Sequence, residues 1–173
     1  TDSPAVEVQV EWPDGTWRDF PVRNASAELR WEADTLHILS ARSESGDGAI
    51  SASGVIRVSP DGVGPPMVDV AVEATRFLLD PYAAILSPGA PFSGAVSGEF
   101  RVAGDLDALG GEGTLGLSEA TVGSTPIVMT SVGLSGDTGA WTVPAFEFTA
   151  GGIPFRAHAN FDAQAYAFSV ASI

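Results

Sequence analysis

Residues 5–12 read AVEVQVEW, and this stretch decides the class of fold. Apolar and polar residues alternate along it: one set is Val6, Val8, Val10 and Trp12, and the other is Glu7, Gln9 and Glu11. Because successive side chains of a strand point to opposite faces of a sheet, this alternation predicts a β-strand with one apolar and one polar face. Pro13-Asp14-Gly15 follows with turn chemistry, so we expect the strand to end there.

The same alternation recurs along the rest of the chain, in segments separated by Gly, Pro, Asp and Asn. The polar positions of these segments are rich in Ser, Thr, Arg and Glu, as in antiparallel sheets with one solvated face. The sequence therefore predicts an all-β fold dominated by a mostly antiparallel, extended sheet. The predicted strands are 5–12, 17–22, 25–31, 36–41, 49–58, 68–74, 94–102, 113–117, 127–134, 141–148, 153–161 and 166–170.

One segment has a different period. Residues Thr75 to Leu86 read TRFLLDPYAAIL, with apolar residues three and four positions apart. Asp80 precedes Pro81, which suits the start of a helix with proline at its first position. We expect one short helix near 75–86.

Charge and composition exclude several classes of protein. The chain has 173 residues, with 22 acidic and eight basic side chains, a net charge of −14 and no cysteine. Such an acidic chain lacks the basic surface that binds nucleic acid, so nucleic acid is not expected as a partner. The absence of cysteine removes disulfides, thiolate metal sites and cysteine nucleophiles.

Membrane and export signals are also missing from the sequence. No run of 18 or more apolar residues is present to span a bilayer. The opening residues, TDSPAVEV, do not have the organisation of a signal peptide. If the parent protein is exported, we expect this chain to be a mature or excised part of it.

The chain also shows an internal repeat. Residues 20–58 match residues 125–163 without gaps, with similar residue character at strand spacing and a shared Pro-aliphatic start at Pro21-Val22 and Pro126-Ile127. Stacked β-meander units of this kind bury their apolar faces against their neighbours. We therefore predict a single β-rich fragment, 1–173, built of two similar units, about 16–70 and 92–173, joined near 75–86.

Little in the sequence points to catalysis or to a cofactor. His37 and His158 each lie out of phase with the apolar residues beside them, so both are predicted on the polar face. Asp105, Asp107 and Glu112 lie in GDLDALGGEG, which could hold calcium or simply form a solvated turn, and it departs from the helix-loop-helix calcium pattern. We predict no enzyme activity, no cofactor and no metal site.

The apolar positions are the strongest candidates for function. They either fill the inside of a closed β-sandwich or line an open apolar groove along a curved sheet, since both arrangements need the same alternation. The candidate lining residues are Leu29, Ile38, Ile50, Ile56, Val96, Phe100, Val102, Leu115, Leu117, Val132, Leu134, Trp141, Phe146, Phe148, Phe155 and Phe161.

The second half of the chain resembles a known family. From Phe92 it reads FSGAVSGEFRVAGDL, then GTLGL, then a strand pair across Pro126-Ile127, and finally NFD at 160–162. This order of motifs resembles the C-terminal portions of bacterial AsmA-like proteins, the group that includes TamB. The earlier half, from FPVRNASAELRW onwards, has the same character and is compatible with another copy of the unit.

The resemblance implies a curved, groove-forming sheet with an apolar interior, in a periplasmic protein whose parent is anchored in the inner membrane. It implies that the candidate residues bind phospholipid acyl chains during transport between the inner and outer membranes, or that the protein supports assembly of outer-membrane barrel proteins. The alternative is an interaction or chaperone-like module that binds client strands by edge pairing, with an edge-mediated dimer of the fragment as one form of it.

Overall fold

The computed structural model describes residues 4–17, 20–83, 91–138, 140–162 and 167–172. These residues form an all-β structure, as predicted. The strands are β1 (Ala5–Trp17), β2 (Phe20–Glu32), β3 (Thr35–Ser45), β4 (Gly48–Arg57), β5 (Met67–Leu78), β6 (Phe92–Asp105), β7 (Ala108–Val122), β8 (Thr125–Asp137), β9 (Ala140–Ala150), β10 (Ile153–Asp162) and β11 (Ala167–Ser172), with one 3₁₀ turn at Asp80–Tyr82. Within these ranges, no helix is long and apolar enough to cross a membrane.

The eleven strands form one antiparallel sheet in the order of the sequence, from β1 to β11. Each strand pairs with its neighbours in the chain, and the sheet is curled but not closed. The closed β-sandwich is therefore wrong for the described residues, because a sandwich needs a second sheet over the first. An unbroken series of hairpins adds each strand to the edge of the same layer, so no crossover builds that second sheet.

Two local predictions at the ends of β1 and β5 are wrong. β1 continues through Pro13-Asp14-Gly15 to Trp17, and Asp14 pairs with Arg23. β1 pairs with β2 on both sides of Pro13, with Trp12 opposite Ala25 and Asp14 opposite Arg23, so the strand continues past the proline. The helix expected from Thr75 does not begin there, because β5 continues to Leu78; a 3₁₀ turn follows at Asp80–Tyr82, and Ala83 after it is helical. Residues 84–86 of that predicted helix lie outside the described residues.

A β-bulge explains the misleading period around Phe77. The register between β5 and β6 shifts between Ala74 and Phe77, and Arg76 has a φ of 46°. A bulge inserts an extra residue and changes which face the following side chains point to, so apolar residues lose their strict alternation. The bulge accounts for the break in alternation between Ala74 and Phe77, where the predicted helix was expected to begin.

The repeat at an offset of 105 residues is visible in the backbone. The bounds of β2, β3 and β4 plus 105 are the bounds of β8, β9 and β10. The turns repeat as well: Ala33 and Thr138 have φ values of 51° and 49°, and Gly46 and Gly151 have φ values of 66° and 58°. Equal strand lengths and equal turn conformations place equivalent side chains on the same face in both copies. The division of the chain into two units remains a prediction.

The most enclosed part of the fold lies at the end of the sheet where β5 ends and β6 begins. We call the segment Leu79–Tyr82 the strap. The Tyr82 hydroxyl donates a hydrogen bond of 2.9 Å to the carbonyl of Pro21 on β2, and the Tyr82 ring stacks on Phe77 with centroids 5.5 Å apart. Burial raises the pKa of the Tyr82 phenol above its ordinary value of 10.0, so the group remains a donor. The strap thus ties the end of β5 to β2, past β3 and β4.

Removing the Tyr82 hydroxyl should loosen this end of the sheet. We expect Tyr82→Phe to lower the free energy of unfolding by about 1 kcal/mol, because the variant keeps the ring stacking and loses one hydrogen bond. Urea unfolding followed by far-ultraviolet circular dichroism measures the change. A variant as stable as the original chain would show that the hydrogen bond to Pro21 does not hold the strap.

Candidate functional site: the apolar face of the sheet

Cross-strand pairing brings the predicted lining residues onto one side of the sheet, which we call the apolar face. One row of paired residues crosses eight strands: Val10, Ala27, Ala41, Ala52, Val72, Phe100, Gly113 and Leu134. All sixteen candidates lie on this face by register. Phe161 is placed by its backbone pairing with Trp141, and its side chain lies outside the described residues. Alternation in sequence therefore becomes segregation of faces in the sheet.

No second layer covers the apolar face in the described part of the chain. Fourteen of the candidates have half-buried side chains, and Phe155 is 42 % exposed. None of the large side chains described is fully buried. Since the closed core of a globular domain would bury such residues, the apolar face is open to whatever surrounds the protein.

Aromatic rings cover the floor of the apolar face on strands β6 to β10. The rings of Phe100 on β6 and Trp141 on β9 have centroids 5.1 Å apart, although two strands separate them. Farther along the same face, the rings of Phe148 and Phe155 stack at 5.4 Å. Aromatic pairs at these separations stabilise each other beyond the area that they bury.

Glycines make room for these rings, and sequence reasoning missed their role. A Cβ atom at Gly136 would overlap the indole of Trp141. One at Gly111 would overlap the backbone carbonyl of Arg101 and lie 3.0 Å from the Cη2 atom of Trp141. A Cβ atom at Gly113 would overlap the ring of Phe100 and backbone. The signal was present in the sequence, because these glycines occupy apolar-face positions in the alternation. The sequence analysis interprets GGEG, at 110–113, only as part of a calcium site or a solvated turn.

On strands β1 to β5 the same face has a floor of small residues instead. A cavity of about 450 Å³ opens there. We call it the alanine trough, and its apolar-face residues are Val10, Trp12, Ala25, Ala27, Ala41, Ser43, Ile50, Ala52 and Val72. Of the predicted lining residues only Ile50 belongs to it. The missed residues include Val10 and Trp12, which the alternation in AVEVQVEW had already placed on an apolar face.

The opposite face, which we call the polar face, has most of the charge. A depression of about 1070 Å³ crosses it from β2 to β9, and Glu73, Glu99 and Glu112 are among its lining residues. Glu73 and Glu99 are directly paired across β5 and β6. Among the described residues, no group of three or more His, Cys, Asp or Glu side chains could hold a metal ion. His37 and His158 lie on β3 and β10, so the fold does not bring them together.

Asp69 and Arg101 form the best-aligned ion pair of the polar face. The Nε and Nη2 atoms of Arg101 donate hydrogen bonds of 2.8 and 2.9 Å to the two carboxylate oxygens of Asp69. These hydrogen bonds lower the pKa of Asp69 below its ordinary value of 3.8. Both side chains are exposed, so the pair contributes little to the stability of the sheet.

The stability contributed by Asp69 should depend on pH. A carboxyl group whose pKa is lower in the folded state stabilises the fold above its unfolded pKa, and this contribution is lost as pH falls through the folded value. We expect Asp69→Asn to be slightly less stable than the original chain at pH 7, and the difference to disappear in acid. Urea unfolding of both proteins from pH 7 down to pH 2.5 measures this. A difference that persists at the lowest pH would contradict the role of the Asp69 carboxylate.

The fold and the site together define a class of protein: a single open antiparallel sheet with one continuous apolar face and one acidic face. Comparison with protein-family models, curated proteins and solved structures finds no match for the chain. The function must therefore be argued from the two faces themselves.

Proposed function

We propose that this chain is part of an AsmA-like, TamB-like protein of the periplasm. In this proposal it is a non-enzymatic β-groove that shields phospholipid acyl chains on their way between the inner and outer membranes. The observation that carries the proposal is the apolar face, which extends across the sheet without a second layer in the described residues. Support for outer-membrane assembly is the other activity known in that family, and no feature of the described residues favours it over lipid transport.

The chemistry of the apolar face suits hydrocarbon. Its backbone N–H and C=O groups are paired within the sheet, so the face offers aliphatic and aromatic side chains with little unmet hydrogen bonding. Each methylene group that leaves water contributes about 0.8 kcal/mol, so a chain of many methylenes gains enough to bind. The alanine trough leaves space for such a chain without first moving a large side chain.

The polar face supports the same proposal through its charge. The net charge is −14, and the exposed acidic residues of this face include Glu73, Glu99 and Glu112. An acidic surface is repelled by anionic headgroups, so anionic lipids should not bind there. Acyl chains and headgroups would then contact the apolar face and its margins, where the headgroup can stay in water.

Lipid loading of the purified chain tests the proposal. The chain is incubated with vesicles of phosphatidylethanolamine and phosphatidylglycerol, separated from them by flotation, and analysed by native mass spectrometry and lipid extraction. We expect phospholipid to remain bound to the protein. A chain that acquires no lipid, and whose apolar residues are protected from water by its own structure, would refute the proposal.

A further inference from the structure

We propose that the alanine trough holds one acyl chain of a phospholipid, and that Ala41 and Ser43 are the residues that admit it. The trough belongs to the first copy of the repeat, β2 to β4. In the second copy, β8 to β10, the chain's own phenylalanine rings fill the equivalent place. This inference rests on the proposed function and adds to it the position of the acyl chain.

The two copies of the repeat have the same strand pairing around the trough. The pairs of the first copy and their counterparts 105 residues later are Ala41–Ala52 and Phe146–Ala157, Ser43–Ile50 and Phe148–Phe155, and Ile38–Gly54 and Val143–Ala159. The register shift also falls at the same place in both copies, between the last of these pairs and the other two. The floor of the trough therefore has a counterpart in β9 and β10 with the same backbone arrangement.

The side chains at these equivalent positions differ in size. Where the first copy has Ala41 and Ser43, the second has Phe146 and Phe148, with ring centroids 5.8 Å apart. The Phe148 ring also stacks on Phe155 at 5.4 Å. In the first copy the small side chains leave the cavity of about 450 Å³, within the range of about 300–1,000 Å³ that is typical of small-molecule sites. The same backbone thus carries apolar rings in one copy and open space in the other, which indicates that apolar material fits this place.

The serine hydroxyls beside the trough already have acceptors within the protein. The Ser43 hydroxyl donates a hydrogen bond of 3.0 Å to the carbonyl of Arg23, and the Ser45 hydroxyl donates one of 3.0 Å to the carbonyl of Leu78. A polar ligand would have to compete with these hydrogen bonds and would gain little. Hydrocarbon gains from leaving water and needs no such partner, so the trough favours a chain of methylene groups.

Charge argues against a second copy of this protein as the occupant of the trough. Each copy has a net charge of −14, so two copies brought together at their apolar faces would repel each other. An acyl chain has no charge, and the headgroup to which it is attached can remain in water at the margin of the face.

The second acyl chain of the same phospholipid has a path beyond the trough. One row of paired residues on the apolar face leads from β4 to β7 and consists of Ile50, Ala74, Gly98 and Leu115. The side chains in the middle of this row are small, so a second chain can follow it. Phospholipid binding then depends on both the trough and Leu115, whereas a fatty acid needs the trough alone.

Exchange of side chains between the two copies tests the inference. Ala41→Phe/Ser43→Phe gives β3 the rings of β9, and Phe146→Ala/Phe148→Ser gives β9 the small side chains of β3. The probe is fluorescent palmitic acid, titrated by fluorescence and counted by native mass spectrometry. We expect the first variant to bind it at least tenfold more weakly, because excluding about two methylenes from the trough already costs that much. The second variant should bind one additional fatty acid per chain.

Ala71→Phe/Ser53→Phe is the matched control, because it adds the same rings to the same residue types on the polar face. Ala71 and Ser53 pair directly across β5 and β4, and both are exposed. This variant should bind the fatty acid as the original chain does. Far-ultraviolet circular dichroism shows whether each variant folds. Phe146 and Phe148 are only half-buried, so the variant of β9 should remain folded and gives a second, independent result.

The fatty acid and phospholipid measurements separate this inference from the proposed function. Leu115→Glu should weaken phospholipid binding and leave palmitic acid binding unchanged. Phospholipid binding by the original chain, with unchanged palmitic acid affinity in Ala41→Phe/Ser43→Phe, would overturn the inference and leave the proposed function standing. Palmitic acid binding that requires Ala41 and Ser43, without retention of phospholipid, would support the trough as an alkyl site and refute the proposed function. A chain that binds no palmitic acid, or one whose dimer in sedimentation excludes it, would also overturn the inference.

Discussion

Leu115→Glu should weaken phospholipid binding at least tenfold, whereas Thr114→Glu, one residue earlier on β7, should leave it intact. Leu115 lies on the apolar face, paired with Gly98 and Val132, while Thr114 lies on the polar face opposite Glu99. A carboxylate against hydrocarbon costs several kcal/mol unless it is neutralised, so we expect at least a tenfold loss of lipid affinity. Both variants add the same charge to the same strand, so any difference in lipid affinity between them is due to the face on which the carboxylate lies.

Lipid retained after flotation measures the effect, and thermal unfolding shows whether each variant remains folded. Leu115 is only half-buried, so the sheet should tolerate the carboxylate better than a closed core would. Leu115→Val is a further control that keeps the apolar character of the position and should retain lipid. If Leu115→Glu and Thr114→Glu bind lipid equally well, the apolar face is not the lipid site.

Gly136→Val is expected to cause the largest loss of stability among the substitutions considered. The new side chain would occupy the place of the Trp141 indole, and the backbone carbonyl of Ala140 would lie only 2.9 Å from the Cβ atom. Trp141 would have to leave its contact with Phe100. Overpacking of this kind costs about 1–3 kcal/mol, so the urea midpoint should fall clearly.

Gly133→Val provides the matched control, because Gly133 lies on the same strand and its added Cβ would meet only the Gly113 carbonyl, at 4.0 Å. It should cost little, and a valine there adds β-propensity. Adding Trp141→Ala to Gly136→Val should recover part of the lost stability, since the indole with which the valine side chain clashes is then gone. Equal losses for the two glycine variants would mean that the indole does not need the space above Gly136.

Alternation made most of the sheet predictable. Whether a side chain points up or down in a strand depends on its immediate neighbours, so alternation accounts for most of the shared face. Trp141 and Phe146 are five residues apart and share that face only because the register between β9 and β10 shifts between them. The internal repeat was predictable for the same reason, because equal spacing produces strands of equal length and turns of equal conformation. The prediction that these residues bind lipid remains to be tested.

Other features could not be predicted because they depend on residues far apart in sequence. The bulge at Arg76, where β5 pairs with β6, interrupts the alternation near the end of β5, although the strand continues to Leu78. Pro13 remains within β1 because the pairing with β2 resumes directly after it, with Asp14 opposite Arg23. Trp141 lies over Gly136 and Gly111 because β7, β8 and β9 are neighbours in the sheet. The number of residues between these positions in the sequence did not indicate that the indole contacts both glycines.

The sequence by itself determined that the strands have one apolar and one polar side, because local alternation sets the direction of side chains between bulges. The tertiary structure alone decided that these strands join a single open layer instead of closing into a sandwich. Whether a single layer or a sandwich forms depends on where each successive strand pairs. In this chain each strand pairs with the one before it, so all eleven lie in the same sheet. The apolar face that a sandwich would have buried is therefore left uncovered, and the proposed function depends on this difference.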